Sequence, residues 1–178
     1  MGAGKTSVGR ALAEHLNWVF EDLDDRIQQR EGRTVAEIFR DSGEPVFRRA
    51  EHAALEQVLE ELRGGVARIV ALGGGTFVQA ENAAPLLASG VPTVFLDAPV
   101  GQLWQRCSQQ TSESGLERPL LKSLEEFRDL HANRRRSYMK AAVKIGTGSR
   151  TVSEIAAEIA EKLGLNKIAI RTEQGDAE

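Results

Sequence analysis

The sequence is poor in cysteine and in aromatic residues. Cys107 is its single cysteine, and aromatic side chains make up 5% of 178 residues. One thiol excludes an intramolecular disulfide and a multi-cysteine metal site, and it is typical of a reducing cytosol. No apolar run reaches the length of a membrane span, and no basic segment followed by an apolar one marks a secretory signal. These absences predict a cytoplasmic protein without a membrane partner.

The sequence also has little net charge. Its formal charge is −3, which gives no general attraction to nucleic acid. Arginines nevertheless cluster at Arg48-Arg49 and at Arg134-Arg135-Arg136, a pattern that favours small anionic ligands. With 41% hydrophobic and 28% charged residues, the composition is that of a globular chain. We expect one domain over residues 1–166, a polar tail over 167–178, and a monomer.

The first six residues, Met1-Gly2-Ala3-Gly4-Lys5-Thr6, match the second half of a phosphate-binding loop. In such loops, backbone N–H groups and a helix N-terminus bind phosphate oxygens, the lysine reaches the terminal phosphates, and the hydroxyl lies on Mg²⁺. The first glycine of the motif would lie two positions before Met1. A chance match in a helix cap remains the alternative.

Carboxylates follow the first predicted strand, Trp18-Val19-Phe20, in the run Glu21-Asp22-Leu23-Asp24-Asp25. Ligands of open α/β sheets bind at the carboxyl ends of the strands. If the chain stays extended there, Asp22 and Asp24 point to the same side. The alternative interpretation is a solvated turn with a helix cap.

Two further stretches suggest ligand contacts. Arg48 lies three residues before Glu51 near the start of a predicted helix, either as a surface ion pair or as a carboxylate-binding arginine held by Glu51. The predicted strand over residues 66–72 runs into Gly73-Gly74-Gly75. Three glycines are costly in conformational entropy, which favours a ligand against the backbone over a plain turn.

A polar stretch over residues 108–117 follows a helix predicted for Val100–Cys107 and leads to Arg118. Its lack of apolar periodicity predicts a loop, either a lid that delivers an arginine or a linker. Elsewhere strands alternate with helices, in the order α-β-α-α-β-α-β-α-lid-α-β-α. This alternation predicts an α/β fold with a parallel sheet covered on both faces.

Taken together, these stretches resemble the shikimate kinase family of P-loop kinases. The resemblance spans Met1 to about Leu163. It is carried, in order, by Gly2-Ala3-Gly4-Lys5-Thr6, Asp22-Leu23-Asp24, Gly43-Glu44, Phe47-Arg48-Arg49-Ala50-Glu51, Leu72-Gly73-Gly74-Gly75, Arg118-Pro119-Leu120-Leu121, and Arg134 four residues before Tyr138.

The resemblance implies a three-layer sandwich with a mobile lid at about residues 108–121, and transfer of the ATP γ-phosphoryl group to the 3-hydroxyl of shikimate. It implies Asp24 as catalytic base, aided by Lys5 and Arg118. Mg²⁺ would be held by Thr6 and, through water, by Asp22. ATP would be bound by Gly2, Ala3, Gly4, Lys5, Thr6, Ser7, Arg106 (stacked on adenine) and Arg118.

For shikimate, the resemblance implies that Arg48 and Arg134 bind the carboxylate, that Gly74 and Gly75 lie beside the hydroxyls, and that Asp24 binds the acceptor hydroxyl. The planar fork of arginine suits a carboxylate. Closure of the lid would exclude water, which competes as acceptor.

The sequence departs from the family at its start. The family has a strand directly before Met1, in the interior of a five-stranded sheet, whereas this sequence predicts four strands. Without that strand we expect an open position in the sheet, with unpaired backbone groups. We expect the true start to lie upstream; a strand supplied by a partner and a degenerate, poorly folding chain are the alternatives.

Two other functions compete with shikimate kinase activity. One is a ligand-sensing module on the same fold without catalysis, which the presence of Asp24, Arg48, Arg118 and Arg134 disfavours. The other is a kinase of another small polyol acid such as gluconate, which the glycine loop and the Phe47-Arg48 pair disfavour.

Overall fold

The computed structural model describes residues 2–114 and 123–165, and this part of the chain has an α/β fold. In chain order its elements are α1 (Lys5–Leu16), β1 (Val19–Asp22), α2 (Leu23–Glu31), α3 (Val35–Ser42), α4 (Glu44–Arg63), β2 (Arg68–Ala71), a 3₁₀ turn (Thr76–Val78), α5 (Ala80–Ala88), β3 (Val94–Asp97), α6 (Val100–Ser114), α7 (Leu124–Tyr138), β4 (Val143–Gly146) and α8 (Val152–Lys162). None of these helices is long and apolar enough to cross a membrane.

The four strands pair in parallel, as predicted. β1 pairs with β2, with Val19 opposite Arg68, and β3 pairs with β4, with Val94 opposite Val143. The two pairs are separate two-stranded sheets. Within the described residues the sheet is therefore divided between β2 and β3.

A groove takes the place of a continuous ladder between β2 and β3. Ile69 and Val70 of β2 line it together with Phe95 of β3, Leu12 of α1 and Leu163, and its volume is about 240 Å³. The sequence predicted an open position in the sheet where the family has a further strand. The further strand itself stays a prediction.

Successive residues of a strand point to opposite sides. Both faces of these strands carry apolar side chains, and helices cover both. Val70 packs against a core formed mainly by α2, α3 and α4. Its neighbour Ile69 packs against the core of α1 and α8, which also contains Leu96 of β3 and Ile145 of β4. The predicted three-layer arrangement is confirmed.

The local sequence signals at helix starts act as expected. Thr34 and Glu37 form a capping box at α3, and Thr151 and Glu154 form another at α8. In each, the hydroxyl accepts from the N3 amide and the glutamate accepts from the threonine N–H. These contacts satisfy backbone donors that a helix start leaves unpaired.

The prediction of extended chain through Asp24 is wrong. Helix α2 begins at Leu23, and the Asp22 carboxylate caps it by accepting from the Asp24 amide at 3.2 Å. Only Leu23 and Ile27 of this helix are buried. Two apolar residues four apart give too little periodicity to predict a helix from the sequence.

Helix α6 is longer than predicted. It runs to Ser114, whereas the sequence predicted an end at Cys107 and a loop from 108 to 117. The polar residues of its last two turns lack an apolar stripe, so the pattern did not indicate a helix. Residues 115–121 of the predicted lid, and the tail over 167–178, lie outside the described residues.

Candidate active site

The phosphate-loop motif forms a tight turn into α1. Gly2 and Gly4 have φ values of 66° and 81°, a left-handed conformation that favours glycine. A Cβ on Gly2 would lie 2.7 Å from the Leu103 carbonyl oxygen, so the loop packs closely against α6. Gly4 is the N-cap of α1 and has no side chain to cap it. The first N–H groups of α1 are thus suited to an anion.

Thr6 and Asp22 meet beside this loop. The Thr6 hydroxyl donates to Asp22 Oδ2 at 3.0 Å. The described residues contain no group of three or more His, Cys, Asp or Glu side chains that could hold a metal ion. Mg²⁺ commonly takes one or two protein oxygens and completes its shell with water and phosphate. The Thr6–Asp22 pair fits that kind of site.

Asp24 lies in the first turn of α2 and is a weak acid in this environment. Its pKa is raised from 3.8 to about 6, chiefly by burial and then by the carboxylates of Asp22 and Glu51, while the Lys5 ammonium opposes the rise. A Cβ placed on Gly73 would lie 3.1 Å from Asp24 Oδ1. Asp24 is therefore a carboxyl group with a pKa of about 6 that interacts with Lys5 of the phosphate loop and lies close to Gly73 of the glycine loop.

Arg48, in the first turns of α4, is held by two glutamates. Its Nη1 donates to Glu51 Oε2 at 2.8 Å, and its Nε and Nη2 donate to Glu44 Oε1 at 3.1 and 2.8 Å. Glu51 is 1% exposed, whereas the Glu44 side chain is 60% exposed. The Glu51 contact is shielded from solvent, whereas the Glu44 carboxylate is largely exposed.

The glycine loop after β2 lies against Arg48. A Cβ on Gly75 would lie 2.6 Å from Arg48 Nη1, which is closer than side-chain atoms tolerate. The absence of a side chain at position 75 thus lets the guanidinium rest on the backbone. The sequence predicted a ligand contact for these glycines; within the protein, one reason for them is the close approach of this arginine.

Arg134 of α7 lies beside a residue that contacts the same loop. Tyr138, one turn later, donates its hydroxyl hydrogen bond to the Gly74 carbonyl oxygen. Burial raises the pKa of Tyr138, and the charge and hydrogen bond of Arg134 oppose that rise. Arg134 therefore lies beside the Tyr138 hydroxyl, and both arginines proposed for one carboxylate lie close to the Gly73–Gly75 loop.

A second cavity, of about 300 Å³, opens on the other side of the phosphate loop. It is lined in part by Gly4, Ser7, Arg106, Thr147 and Arg150. Arg106 Nη2 donates to the Gly148 carbonyl oxygen at 3.1 Å, which holds its side chain at the cavity. Ala3 lines both cavities. Arg118 lies outside the described residues.

Sequence reasoning missed two residues of this region. Thr76 is fully buried and donates its hydroxyl to Glu51 Oε1 at 2.6 Å. The sequence motif indicates Tyr138 only by its spacing from Arg134, and the bond of Tyr138 to Gly74 joins residues 64 positions apart. The position of Thr76 directly after three glycines was an available signal; no spacing rule indicates the long-range tyrosine contact.

Known proteins with similar sequences belong to one enzyme family. The sequence profile of the family described as shikimate kinase matches residues 1–164. The chain is 41% identical to the shikimate kinase of Symbiobacterium thermophilum, over 92% of this chain and 91% of that protein. It is 39% identical to that of Thermus thermophilus, over 92% of this chain and 85% of the relative.

Solved structures with a similar fold belong to the same family. Shikimate kinase from Acinetobacter baumannii in complex with shikimate aligns with a TM-score of 0.79 and 34% identity, over 94% of this chain and 90% of that one. The enzyme from Aquifex aeolicus aligns with a TM-score of 0.77 and 33% identity, over 95% of both chains. The chain belongs to the shikimate kinase family of ATP-dependent kinases.

Proposed function

We propose that this chain transfers the γ-phosphoryl group of ATP to the 3-hydroxyl of shikimate, giving shikimate 3-phosphate and ADP. One observation carries the proposal: a phosphate loop, a carboxylate with a pKa near 6 and a carboxylate-seeking arginine converge around Gly73–Gly75. The solved complex of a relative with shikimate supports the choice of acceptor.

The nucleotide side of the site consists of the loop over Gly2–Ser7. Its N–H groups and the positive end of the α1 dipole suit the phosphates. Lys5 offsets charge on the transferring group, as we propose for Arg118 from the lid. Arg106 lines the cavity beyond the loop, where its planar guanidinium can stack on adenine.

The acceptor side consists of Asp24, Arg48, Arg134, Gly74 and Gly75. The shikimate carboxylate replaces exposed Glu44 on the Arg48 fork and is also bound by Arg134, while Glu51 keeps Arg48 in place. Two arginines on one carboxylate orient the ring, since planar forks make directional bonds. The 3-hydroxyl then lies at Asp24, and the glycines leave room for the ring.

Asp24 accepts the proton of the 3-hydroxyl as its oxygen attacks the γ-phosphorus, and the bond from phosphorus to the bridging oxygen of ADP breaks. Most of the acceleration comes from positioning and charge stabilisation rather than from covalent chemistry. Thr6 and, through water, Asp22 would hold Mg²⁺. A bound Mg²⁺ would supply charge neutralisation on the phosphate oxygens.

We propose further that the chain is monomeric and cytoplasmic. The substrates are small and anionic, and the arginines that would bind them, Arg48 and Arg134, come from one chain, so no second copy is required to complete the acceptor side. ATP, the proposed phosphoryl donor, is available in the cytoplasm, which supports that location. Sedimentation velocity with and without MgATP measures the oligomeric state, and a dimer in either condition contradicts the monomer.

The decisive experiment measures shikimate-dependent ADP release with MgATP in a coupled assay. We expect saturable turnover that needs shikimate, is lost with EDTA and is lost in Lys5→Met. Asp24→Asn should retain ATP binding while turnover falls about 10²- to 10⁴-fold, the usual contribution of a general base.

Gluconate serves as a control acceptor. Turnover with gluconate but not with shikimate would identify gluconate as the acceptor and contradict the proposal. ATP binding by the folded chain without turnover on either acid would favour the sensing module. Near wild-type turnover of Asp24→Asn would remove Asp24 as the base.

A further inference from the structure

The buried hydroxyl of Thr76 lies at one end of a short chain of hydrogen bonds. Thr76 is 0% exposed and donates to Glu51 Oε1 at 2.6 Å. The other oxygen, Glu51 Oε2, accepts from Arg48 Nη1 at 2.8 Å. One carboxylate thus receives a neutral donor on one oxygen and the guanidinium on the other.

The buried position of Glu51 makes this arrangement sensitive to its donors. A buried carboxylate that loses a hydrogen-bond donor bears the desolvation cost of the unpaired oxygen. Without the Thr76 hydroxyl, Oε1 can recover a partner by turning toward the guanidinium, whose paired N–H groups favour two-oxygen contacts. Arg48 would then offer fewer N–H groups to a substrate.

Packing around Gly73 leaves little room for another donor. A Cβ at Gly73 would lie 3.1 Å from Thr76 Oγ1, 3.2 Å from Glu51 Oε1 and 3.1 Å from Asp24 Oδ1. The hydroxyl and the two carboxylates therefore surround one glycine. A donor placed on Oε1 keeps the Glu51 carboxylate in one orientation beside Asp24, so the orientation of Glu51 also bears on the acceptor side of the site.

We propose that Thr76 is a positioning residue, which acts through Glu51 to keep Arg48 oriented for the carboxylate of the acceptor. The kinetic part of this proposal rests on the proposed function; the part concerning Arg48 orientation does not. Thr76 contacts neither substrate nor reacting atoms in this assignment.

The first test compares Thr76→Val, which removes the hydroxyl at similar volume, with Thr76→Ser, which retains it. Thr93→Val is the matched control, since Thr93 Oγ1 accepts an ordinary hydrogen bond from the Ala142 amide at 3.2 Å. For Thr76→Val we expect a roughly 10-fold higher KM for shikimate, the lower end for a hydrogen bond to a charged group.

The KM for ATP should stay within about twofold, because the phosphate loop is untouched. Thr76→Ser and Thr93→Val should both keep the shikimate KM within about twofold of the unmodified chain. An unchanged shikimate KM in Thr76→Val, equal rises in both KM values, or failure of serine to restore function would each overturn the proposal.

A double-mutant cycle tests the route through Glu51. In a Glu51→Gln background, adding Thr76→Val should change the shikimate KM by less than about twofold, because residues acting as one unit are not additive. A further 10-fold rise in that background would show that Thr76 acts independently of Glu51.

An NMR readout separates this proposal from the proposed function. The Arg48 Nε–H resonance, identified by its loss in Arg48→Lys, should shift or broaden in Thr76→Val and return in Thr76→Ser. A resonance unchanged in Thr76→Val would refute the positioning role whether or not the chain phosphorylates shikimate. Absence of turnover by the unmodified chain would instead refute the proposed function.

Discussion

Replacement of Asp24 by asparagine should stabilise the folded chain at neutral pH, while it removes the proposed base. Folding raises the pKa of Asp24 from 3.8 to about 6, chiefly through burial and the neighbouring Asp22 and Glu51 carboxylates. The folded state therefore binds the Asp24 proton more tightly than the unfolded state does. This contribution to stability is complete below about pH 4 and is lost as the pH rises through 6.

The size of the effect follows from the change in pKa. A rise from 3.8 to about 6 corresponds to about 3 kcal/mol, at about 1.4 kcal/mol per pKa unit. At pH 8 the wild-type chain must keep Asp24 ionised in its buried position. Asparagine has nearly the same shape and cannot ionise, so Asp24→Asn avoids this free-energy cost. The expected gain in melting temperature is roughly 6–12 °C, at about 2–4 °C per kcal/mol for a chain of this size.

The assay is urea unfolding of the metal-free and nucleotide-free chain in EDTA, at intervals from pH 4 to pH 8. Metal is excluded because a cation near Asp22 would alter the local charge. Asp25→Asn, on the exposed side of the same helical turn, controls for loss of a negative charge at the α2 N-terminus. A difference in unfolding free energy between Asp24→Asn and wild type that does not grow with pH would refute the reasoning.

Three other substitutions separate the parts of the site. Gly75→Ala places a Cβ 2.6 Å from Arg48 Nη1, so the shikimate KM should rise about 10-fold or more while the ATP KM stays unchanged, as initial-rate kinetics would reveal. Lys5→Met should lower kcat at least about 100-fold, the usual loss when one charge-stabilising group is removed; equal kcat in the variant would exclude that role. Thr151→Ala removes the capping box of α8 and should cost about 1 kcal/mol of stability, measured by urea unfolding, with both KM values unchanged.

The sequence predicted the features that depend on local pattern. Capping boxes are readable because the threonine and glutamate lie three residues apart. The motif residues lie together because the carboxyl ends of parallel strands meet at one edge of a sheet. Thr6 and Asp22, 16 residues apart, were both implied as Mg²⁺ ligands by the family resemblance, and the Thr6 hydroxyl donates to Asp22 Oδ2 at 3.0 Å.

Features that depend on long-range packing were not predictable. Arg26 of α2 forms two hydrogen bonds of 2.9 Å with Glu61 of α4, and Glu61 also pairs with Arg68 of β2 at 2.7 Å. No spacing rule relates α2, α4 and β2, because tertiary packing sets their distances. Three glycines before Thr76 were a signal for that residue, but its contact with Glu51 was not predictable, because Glu51 lies 25 residues earlier, on α4.

Because a groove separates β2 from β3, the relative position of the two strand pairs depends on α1. The β1–β2 pair carries Asp22 and leads to the glycine loop, whereas the β3–β4 pair leads to Thr147 in the cavity that Arg106 also lines. Helix α1, which begins at Lys5, packs on both β2 and α8 and so braces the two halves. A displacement of about 1 Å can cost about 100-fold in rate. A substitution that loosens the buried face of α1, for example at Leu12, would therefore slow phosphoryl transfer without changing any residue of the site, because the two strand pairs would shift relative to each other.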